Sequence, residues 1–339
     1  MPLEIAPRDL PVLLLFNVDR CWTRREKEDV ISLSSQLDKA ISSIGHPTKL
    51  IPLDDEDIES ILNSFDPLSY IVFNWCEGIP GVPHSEHLVA RTLEDMGFAF
   101  TGASSKTLLT AGNKRLMKQL LEEAGVPTPR WRVFDRAESD GWNSFPAIVK
   151  AVNEHSSEGI TRDSVVSSEA DLVVRIAYVL ETMRQPALVE DFIDGREFHV
   201  SIWGNGRIDM LPPAEMDFSS FGDIHDRLCT YDAKFMPGSP HYDGIKTLLP
   251  APLSREESES LENICKAAYK ALGCRDYGRI DARIRDGIIY VLDVNPNADI
   301  SADASLACAA EVAGYSYGET GSRIVRLAAH RHPVWGGSS

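Results

Sequence analysis

The chain has 339 residues, 43% of them hydrophobic and 25% charged, which is an ordinary globular composition. This length predicts two or three packed subdomains. The net charge of −17 argues against broad nucleic-acid contact, because phosphate backbones need clustered lysine and arginine. No stretch supplies the roughly 18 apolar residues of a membrane span, and the run 11–16 is too short for a signal peptide. We therefore expect a cytoplasmic protein that binds neither nucleic acid nor membrane.

The six cysteines are scattered along the chain. None forms a C-x-x-C pair, and no histidines follow at zinc-finger spacing. In a reducing compartment, such thiols are typical packing residues. We expect them to be structural rather than metal ligands.

The first hundred residues alternate strand and helix patterns. Residues 12–16 form an apolar run typical of a buried parallel strand, and a helix is predicted over 26–44. Further strands are predicted over 70–73 and 98–101, with a helix between them. We predict a βαβ-type domain over residues 1–103, with ligands at the strand ends.

Two more regions follow. Residues 104–186 contain a predicted helix over 114–124 and a strand over 145–150. Residues 187–339 begin with two strands and contain a long irregular stretch over 212–249. A stretch of that length is rarely an idle connection, so we interpret it as a functional lid. A capping box then predicts the start of a helix at Ser254.

The densest chemistry lies in a predicted hairpin around Asp286-Gly287. In a three-residue loop, 285–287, alternation puts four polar side chains on one face: Arg279, Asp281, Asp293 and Asn295. In a two-residue loop, Asp293 points to the other face. The functional interpretation therefore requires the three-residue loop.

Two carboxylates and an amide oxygen on one face make a hard-oxygen site suited to magnesium. A carboxylate within a buried strand is costly unless it is paired or binds a cation. A simple salt bridge from Arg279 to Asp281 or Asp293 satisfies the same requirement. The hairpin alone leaves both interpretations open.

Cationic residues precede this hairpin. Lys150 ends an apolar strand, and the loop 154–159 offers backbone N–H groups that can wrap a phosphate. Lys114 stands at a predicted helix start, and Lys234 lies in the predicted lid. Each alone is more typical of a solvated surface loop or lysine, and no G-x-x-x-x-G-K-[ST] loop is present. Their order along the chain is more informative.

That order resembles the ATP-grasp fold and, within it, the D-alanine–D-alanine ligase group. The resemblance runs from about residue 73 to residue 327. It is carried by the segments FPAIVKAVNEHSSEGI, ALVEDFIDGREFHV, TYDAKF and YGRIDARIRDGIIYVLDVNPN. It implies an α/β protein with α+β subdomains, in which an N-terminal βαβ (pre-ATP-grasp) domain precedes the ATP-grasp fold.

The resemblance also implies the site residues. ATP would be held by Lys114, Lys150, Ser156, Glu190, Phe192, Ile193 and Glu197, with Glu190 through Ile193 at the base and Glu197 at the ribose. The catalytic residues would be Arg279, Lys234 and Ser157. Two Mg²⁺ ions, or Mn²⁺ in their place, would be held by Asp281, Asp293 and Asn295.

The implied reaction activates a small-molecule carboxylate as an acyl phosphate, which an amine then attacks. The lysines, Arg279 and magnesium would neutralise the charge that develops at the terminal phosphate. The lid would exclude water from the reactive intermediate. A homodimer is implied by the resemblance alone.

The substrate half departs from this group. Residues 74–81 replace its His-Gly-x-x-Gly-Glu-Asp-Gly segment, and 16–20 replace its glycine-rich N-terminal segment. We therefore expect substrates other than two D-alanines. The candidate substrate residues are Glu77, His84, Asp299, Ser301 and Ser305. Equally simple interpretations are a solvated turn carboxylate, a surface histidine, helix-capping serines and a helix N-terminal charge.

Our first hypothesis is a ligase that adds an amino acid to another amino acid or small metabolite. D-alanine–D-alanine ligase itself is the nearest alternative. A small-molecule kinase and a non-catalytic ATP-binding sensor on the same fold are the others, because fold alone does not determine function.

Overall fold

The computed structural model describes residues 9–154, 159–230, 232–233, 236 and 238–336. Within these residues, none of the helices combines the length and apolar composition that a bilayer crossing requires. Three sheets organise the described chain.

The first sheet is parallel and has the strand order β2-β1-β3-β4. Its strands are β1 Val12–Asn17, β2 Thr48–Leu53, β3 Ile71–Trp75 and β4 Ala99–Phe100. Its helices are α1 Arg24–Ser43, α2 Ile58–Leu62 and α3 Glu86–Asp95. The apolar run of β1 is fully buried, as expected of a central parallel strand. The predicted βαβ arrangement is confirmed, and β2 is an additional edge strand that alternation did not reveal.

The second sheet is antiparallel, with the order β5-β8-β6-β7. Two helices precede it, α4 Ser105–Ala111 and α5 Lys114–Glu123. Its strands are β5 Trp131–Phe134, β6 Ala147–Ala151, β7 Val165–Val166 and β8 Ala187–Asp191. Helix α6, Glu169–Tyr178, packs against it and continues into a π-helical turn, Val179–Met183.

The third sheet has the order β12-β11-β9-β13-β14, and β10 pairs with β9. Its strands are β9 Arg196–Trp203, β10 Asp209–Met210, β11 Ala214–Asp217, β12 Lys246–Leu248, β13 Tyr277–Arg285 and β14 Ile288–Asn295. Helix α7 is Pro240–Gly244, and α8 is Arg255–Ala271. The capping box at Ser254 is present. The prediction of an irregular stretch over 212–249 is wrong in part, because β11, α7 and β12 lie within it. Elements of three to five residues are too short for periodicity to reveal.

Two helices complete the fold, α9 Ser305–Val312 and α10 Tyr317–Ala329. Both pack into the core of the first sheet, beside Leu14 and Ile41. Helix α5 likewise packs on the third sheet through Met117 and Leu121. Distant segments therefore share cores, and the division after residues 103 and 186 stays a prediction.

Candidate active site

The hairpin of β13 and β14 turns through a two-residue loop. Arg285 pairs with Ile288, which leaves only Asp286 and Gly287 between the strands. Both have positive φ, 54° and 76°, as a type I′ turn requires. Of the two loop lengths that the sequence left open, the two-residue loop is present, and the three-residue loop on which the functional interpretation depended is not formed, because Asp286 as well as Gly287 adopts the left-handed conformation.

A β-bulge nevertheless restores the predicted face. Ala282 pairs with Val291, but the next pair is Asp281 with Asp293, so Leu292 is the extra residue. Directly opposed residues of an antiparallel pair point to the same side of the sheet. Asp281 and Asp293 therefore share one face, together with the opposed pair Arg279 and Asn295. Alternation counted from the loop cannot detect such a bulge.

Salt bridges hold the carboxylates on this face. Arg279 donates from Nε and Nη2 to both oxygens of Asp281, at 2.7 and 2.9 Å. Lys114 Nζ donates to Asp293 Oδ2 at 2.7 Å. Asn295 Nδ2 lies 3.2 Å from Asp281 Oδ2. Although burial opposes it, Asp281 raises the pKa of Arg279 above its ordinary value.

This arrangement bears on both interpretations of the hairpin. The salt bridge between Arg279 and Asp281 is present. The same face also offers carboxylate and amide oxygens from Asp281, Asp293 and Asn295, the hard ligands that Mg²⁺ takes alongside phosphate oxygens. The donor set therefore fits magnesium.

A buried lysine cluster lies beside the hairpin. Lys150 Nζ and Lys118 Nζ contact the two oxygens of Glu190, at 2.8 and 2.6 Å. The Glu190 side chain is 1% exposed. Burial opposes its ionisation, but the two lysines lower the pKa of Glu190 to about 2. The carboxylate therefore stays charged and fixes the position of Lys150.

Sequence analysis missed Lys118. It is fully buried in α5 and also donates to Thr128 Oγ1 at 2.6 Å and to the Leu292 carbonyl, at the bulge, at 3.0 Å. A signal was available, since Lys118 lies one turn after Lys114 and beside Met117 on a helix that buries one face. Lysine at such a position is rare unless it is paired.

The connection between β8 and β9 is held from the third sheet by Arg283, which sequence analysis also missed. Its Nε donates to Glu197 Oε2 at 2.7 Å and its Nη1 to the Ile193 carbonyl at 2.8 Å. Despite burial, Arg283 and His199 hold the pKa of Glu197 well below its usual range. Gly195 is required here, because a Cβ would lie 1.9 Å from the Ile284 carbonyl oxygen.

These groups line one open cleft between the second and third sheets. It encloses about 870 Å³ including its mouth, within the usual range for small-molecule sites. The predicted residues on its walls are Lys114, Lys150, Glu190, Phe192, Ile193, Glu197, Asp281 and Asp293. Arg279 and Asn295 adjoin it through Asp281. Ser156, Ser157 and Lys234 lie outside the described residues.

A family model for the D-ala D-ala ligase C-terminus matches residues 120–326, more than half of the chain. The chain belongs to the D-alanine–D-alanine ligase family. It is 33% identical to the uncharacterized protein y4sG of Sinorhizobium fredii over 301 residues, with 86% of each chain covered. It is 27% identical to the D-alanine–D-alanine ligase of Desulforudis audaxviator over 298 residues, which cover 86% of this chain and 91% of that one.

The fold agrees with this family. The structure of D-alanine–D-alanine ligase from Bacillus anthracis complexed with ATP superimposes with a TM-score of 0.72 at 20% identity. The superposition covers 94% of this chain and 97% of that chain. The predicted ATP-grasp fold is confirmed, and the predicted membership of an ATP-grasp ligase family is confirmed with it.

Within this D-alanine–D-alanine ligase family member, Glu77 follows β3 at the edge of the first sheet. Its backbone N–H donates to Asn17 Oδ1 at 2.9 Å, which joins the ends of β1 and β3. The side chain is exposed to solvent, yet the surrounding protein and Asp299 raise the pKa of Glu77. Ionisation of Glu77 is therefore less favourable than that of a carboxyl group in water.

His84 lies on the side of the first sheet that approaches the second. It adopts a positive φ of 55°, and its Nε2 is 3.8 Å from Glu154 Oε1. Glu154 immediately precedes the segment 155–158 and lines the cleft. His84 therefore reaches toward the predicted phosphate loop, although 47% of its side chain is exposed.

The segment before α9 does not cap the helix with either serine. Ala304 is at the N-cap position, and Ser305 is the first helical residue. Ser301 is buried, and its backbone N–H and hydroxyl donate to Asp299 Oδ1 at 2.8 and 2.6 Å. The interpretation of Ser301 and Ser305 as helix-capping residues is therefore wrong. Ser301 lies in the loop before α9, and Ser305 begins that helix.

Proposed function

We propose that this protein is an ADP-forming ligase that uses ATP to join a small-molecule carboxylate to an amine through an acyl phosphate. The observation that carries the proposal is the bulged hairpin, where Asp281 and Asp293 oppose each other beside Arg279 and Lys114. These residues adjoin the cleft that Lys150 lines, next to the connection between β8 and β9 that Arg283 holds in place. Family membership supports the same chemistry.

In this proposal the phosphates of ATP lie against Lys114 and Lys150. Glu190 orients Lys150, and the backbone of Phe192 and Ile193 meets the base. Ser156, Ser157 and Lys234 are proposed to close over the phosphates. Cationic groups that are already in position stabilise a charge as it develops, without reorganisation during the reaction.

Magnesium would be held by Asp281, Asp293 and Asn295, and when bound it neutralises phosphate charge. Arg279, which donates to both oxygens of Asp281, would orient this carboxylate toward the metal. Its guanidinium is also proposed to bind the carboxylate substrate and to stabilise the tetrahedral oxyanion when the amine attacks.

The amine is proposed to bind at the substrate side of the site, near Glu77 and Asp299. A further acid, Glu86, has its pKa raised to about 8 by burial, and the neighbouring Glu77 contributes. Acidic groups that repel each other are relieved by an ammonium ion. This favours an amino acid or other primary amine as a substrate. His84 is proposed to act from the opposite side, next to the phosphate loop.

The test is phosphate release from ATP and magnesium against a matrix of D- and L-amino acids, singly and in pairs, with product masses. Release that depends on both a carboxylate and an amine, with an amide product, supports the ligase. Release with one acid alone and a stable phosphorylated product indicates a kinase instead. ATP binding without turnover across larger metabolites as well contradicts the proposal and favours a sensor.

D-alanine–D-alanine ligase itself is the second candidate, favoured by the names of relatives that align over most of the chain. The same matrix separates it. D-alanine as the sole amino acid, with the dipeptide mass, identifies that activity.

A further inference from the structure

Three side chains of different chemistry converge on the wall of the cleft: Glu197, His199 and Cys229. A carboxylate oxygen, an imidazole nitrogen and the thiol sulfur all lie within 4.8 Å of one another. The closest measured pair is His199 Nε2 and Glu197 Oε1, at 3.5 Å. All three residues line the cleft.

Their positions follow from the fold. Glu197 and His199 are two residues apart in β9, so alternation directs both to the same side of the sheet. Cys229 comes from the segment that follows the 3₁₀ turn Ile224–Asp226 and crosses that side. The convergence joins a strand to a distant segment, so the spacing along the sequence did not reveal it.

One sulfur, one nitrogen and one oxygen are the ligands that zinc takes in proteins, at about 2.0–2.3 Å. Tetrahedral ligands at those bond lengths lie about 3.3–3.8 Å from each other. The pair His199 and Glu197 already has this spacing. The remaining separations must close by at most about 1.0–1.5 Å, which is within the reach of side-chain rotation. Three protein ligands leave a fourth position open to the cleft.

One oxygen of Glu197 points toward the other two ligands. Arg283 binds Glu197 through Oε2, and the other oxygen of the carboxylate is the one that faces His199. Cys229 would bind the metal as a thiolate, so binding at this site releases a proton. The site therefore differs from the all-oxygen face of Asp281 and Asp293, which suits magnesium.

We propose that Glu197, His199 and Cys229 bind a thiophilic divalent cation of the zinc class, and that this cation excludes the nucleoside part of ATP from the cleft. The second half rests on the proposed function, in which Glu197 meets the ribose. Zinc and nucleotide then compete for one carboxylate. The enzyme would carry an inhibitory site inside its own nucleotide cleft.

The test is a titration of the chelator-treated full chain with Co²⁺, followed by Zn²⁺. Cobalt bound through a thiolate gives a sulfur-to-metal charge-transfer band in the near ultraviolet, which cobalt on carboxylates alone does not. We expect the band to saturate at one equivalent and to disappear when zinc is added. Cys229→Ser should abolish the band, and His199→Gln should weaken cobalt binding by about 100-fold or more, the upper end of what losing an outer-shell partner costs.

Cys21→Ser is the matched control, because Cys21 is an exposed cysteine outside the cleft. A band that survives in Cys229→Ser, or that disappears in Cys21→Ser, overturns the site. No band at any cobalt concentration overturns it as well.

Adenosine tests the exclusion, because it lacks the phosphates that would themselves bind zinc. We expect saturating adenosine to raise the apparent Kd for cobalt at least tenfold. Unchanged cobalt affinity in the presence of bound adenosine overturns the exclusion and leaves the metal site standing. Phosphate release with magnesium and no zinc is measured separately, so a failure of the ligase proposal is distinguishable from a failure of this one.

Discussion

The nucleotide cleft and the substrate side of this site differ in how their carboxylates are paired. In the cleft, each predicted acid contacts a cationic side chain at 2.6–2.8 Å. On the substrate side, Glu77, Glu86 and Asp299 form no ion pair with any lysine or arginine among the described residues, and burial, with a smaller contribution from neighbouring acids, raises the pKa of Glu77 and Glu86. The acids of the first half are thus held in their charged form by cations, whereas ionisation is disfavoured for Glu77 and Glu86 in the second.

This difference matches what each half is proposed to bind. A cleft whose cations are already in place can exchange carboxylate partners for phosphate oxygens with little rearrangement. A group of acids that pair with no lysine or arginine of the described chain gains most from a ligand that brings positive charge. The comparison predicts that substitutions in the first half act on ATP chemistry and on folding, whereas those in the second act on the amine.

The largest effect on activity is expected for Asp293→Ala, which removes a carboxylate from the nucleotide half of the site. Its carboxylate is a proposed magnesium ligand and the partner of Lys114. ATP turnover should fall by about 10³-fold or more, because the charge at the terminal phosphate is no longer neutralised. Phosphate release measures the loss, and circular dichroism with thermal unfolding checks that the fold survives. Asp54→Ala, at an exposed loop of the first sheet, is the control. Undiminished turnover in Asp293→Ala would exclude the metal role.

Glu190→Gln should cause the largest loss of stability. Two buried lysines would lose their counter-charge, and breaking a buried pair from one side costs about 3–5 kcal/mol. Urea unfolding at pH 7 measures the difference in the free energy of unfolding. Glu122→Gln, on the exposed side of α5, is a control within the same region.

The pH dependence provides a second measurement on Glu190. Its pKa is lowered from 4.5 to about 2 in the folded protein. The stability it contributes is therefore present above pH 4.5 and lost as the pH falls toward 2. Glu190→Gln should flatten the wild-type decline over that window. An unchanged decline would mean that Glu190 is not held by the lysines.

The ATP-grasp fold and most of the residues on the cleft walls were predicted from the order of the motifs, which resembles that of a known family although the substrate segments differ. Strand and helix periodicity located β1, α5, β6 and the hairpin. The bulge at Leu292 was not predictable in this way, since one extra residue leaves the apolar pattern of the strand intact. The face that Asp293 shares with Asp281 was therefore inferred correctly from a loop that is one residue too long, because the bulge has the same effect on the side-chain direction as the longer loop.

The missed residues have a common cause. Lys118 and Arg283 act through partners that are distant in the chain, Glu190 and Glu197. A single lysine or arginine in a helix or strand is usually a solvated surface residue, so nothing local distinguished Arg283, and for Lys118 only its place on the apolar face of α5 did. Only the tertiary structure shows that both are buried and that both hold a carboxylate of the cleft in place.

Glu77→Gln tests whether the substrate side binds the amine. We expect the KM for the amine to rise by about 10-fold while the KM for ATP is unchanged, because one ion pair with an ammonium group contributes roughly 1.4 kcal/mol. The amine and carboxylate are those that support phosphate release in the matrix. Glu56→Gln, an exposed acid of the same sheet, is the control. An equal rise in both KM values would indicate that Glu77 supports the fold rather than the amine.

The smallest effect is expected for Glu86→Gln, read from stability against pH. Burial raises the pKa of Glu86 from 4.5 to about 8, so the folded protein favours the neutral form. The contribution of Glu86 to stability is therefore most favourable below pH 4.5 and declines as the pH rises toward 8, where Glu86 of the unfolded chain is already ionised. The variant has no such group. It should be more stable than wild type at pH 8 by on the order of 1 kcal/mol, and the difference should shrink toward pH 5. Thermal unfolding at a series of pH values measures it. A saturating amine substrate should reduce the difference in stability between the variant and the wild type, because the ammonium group stabilises the ionised carboxylate that burial disfavours.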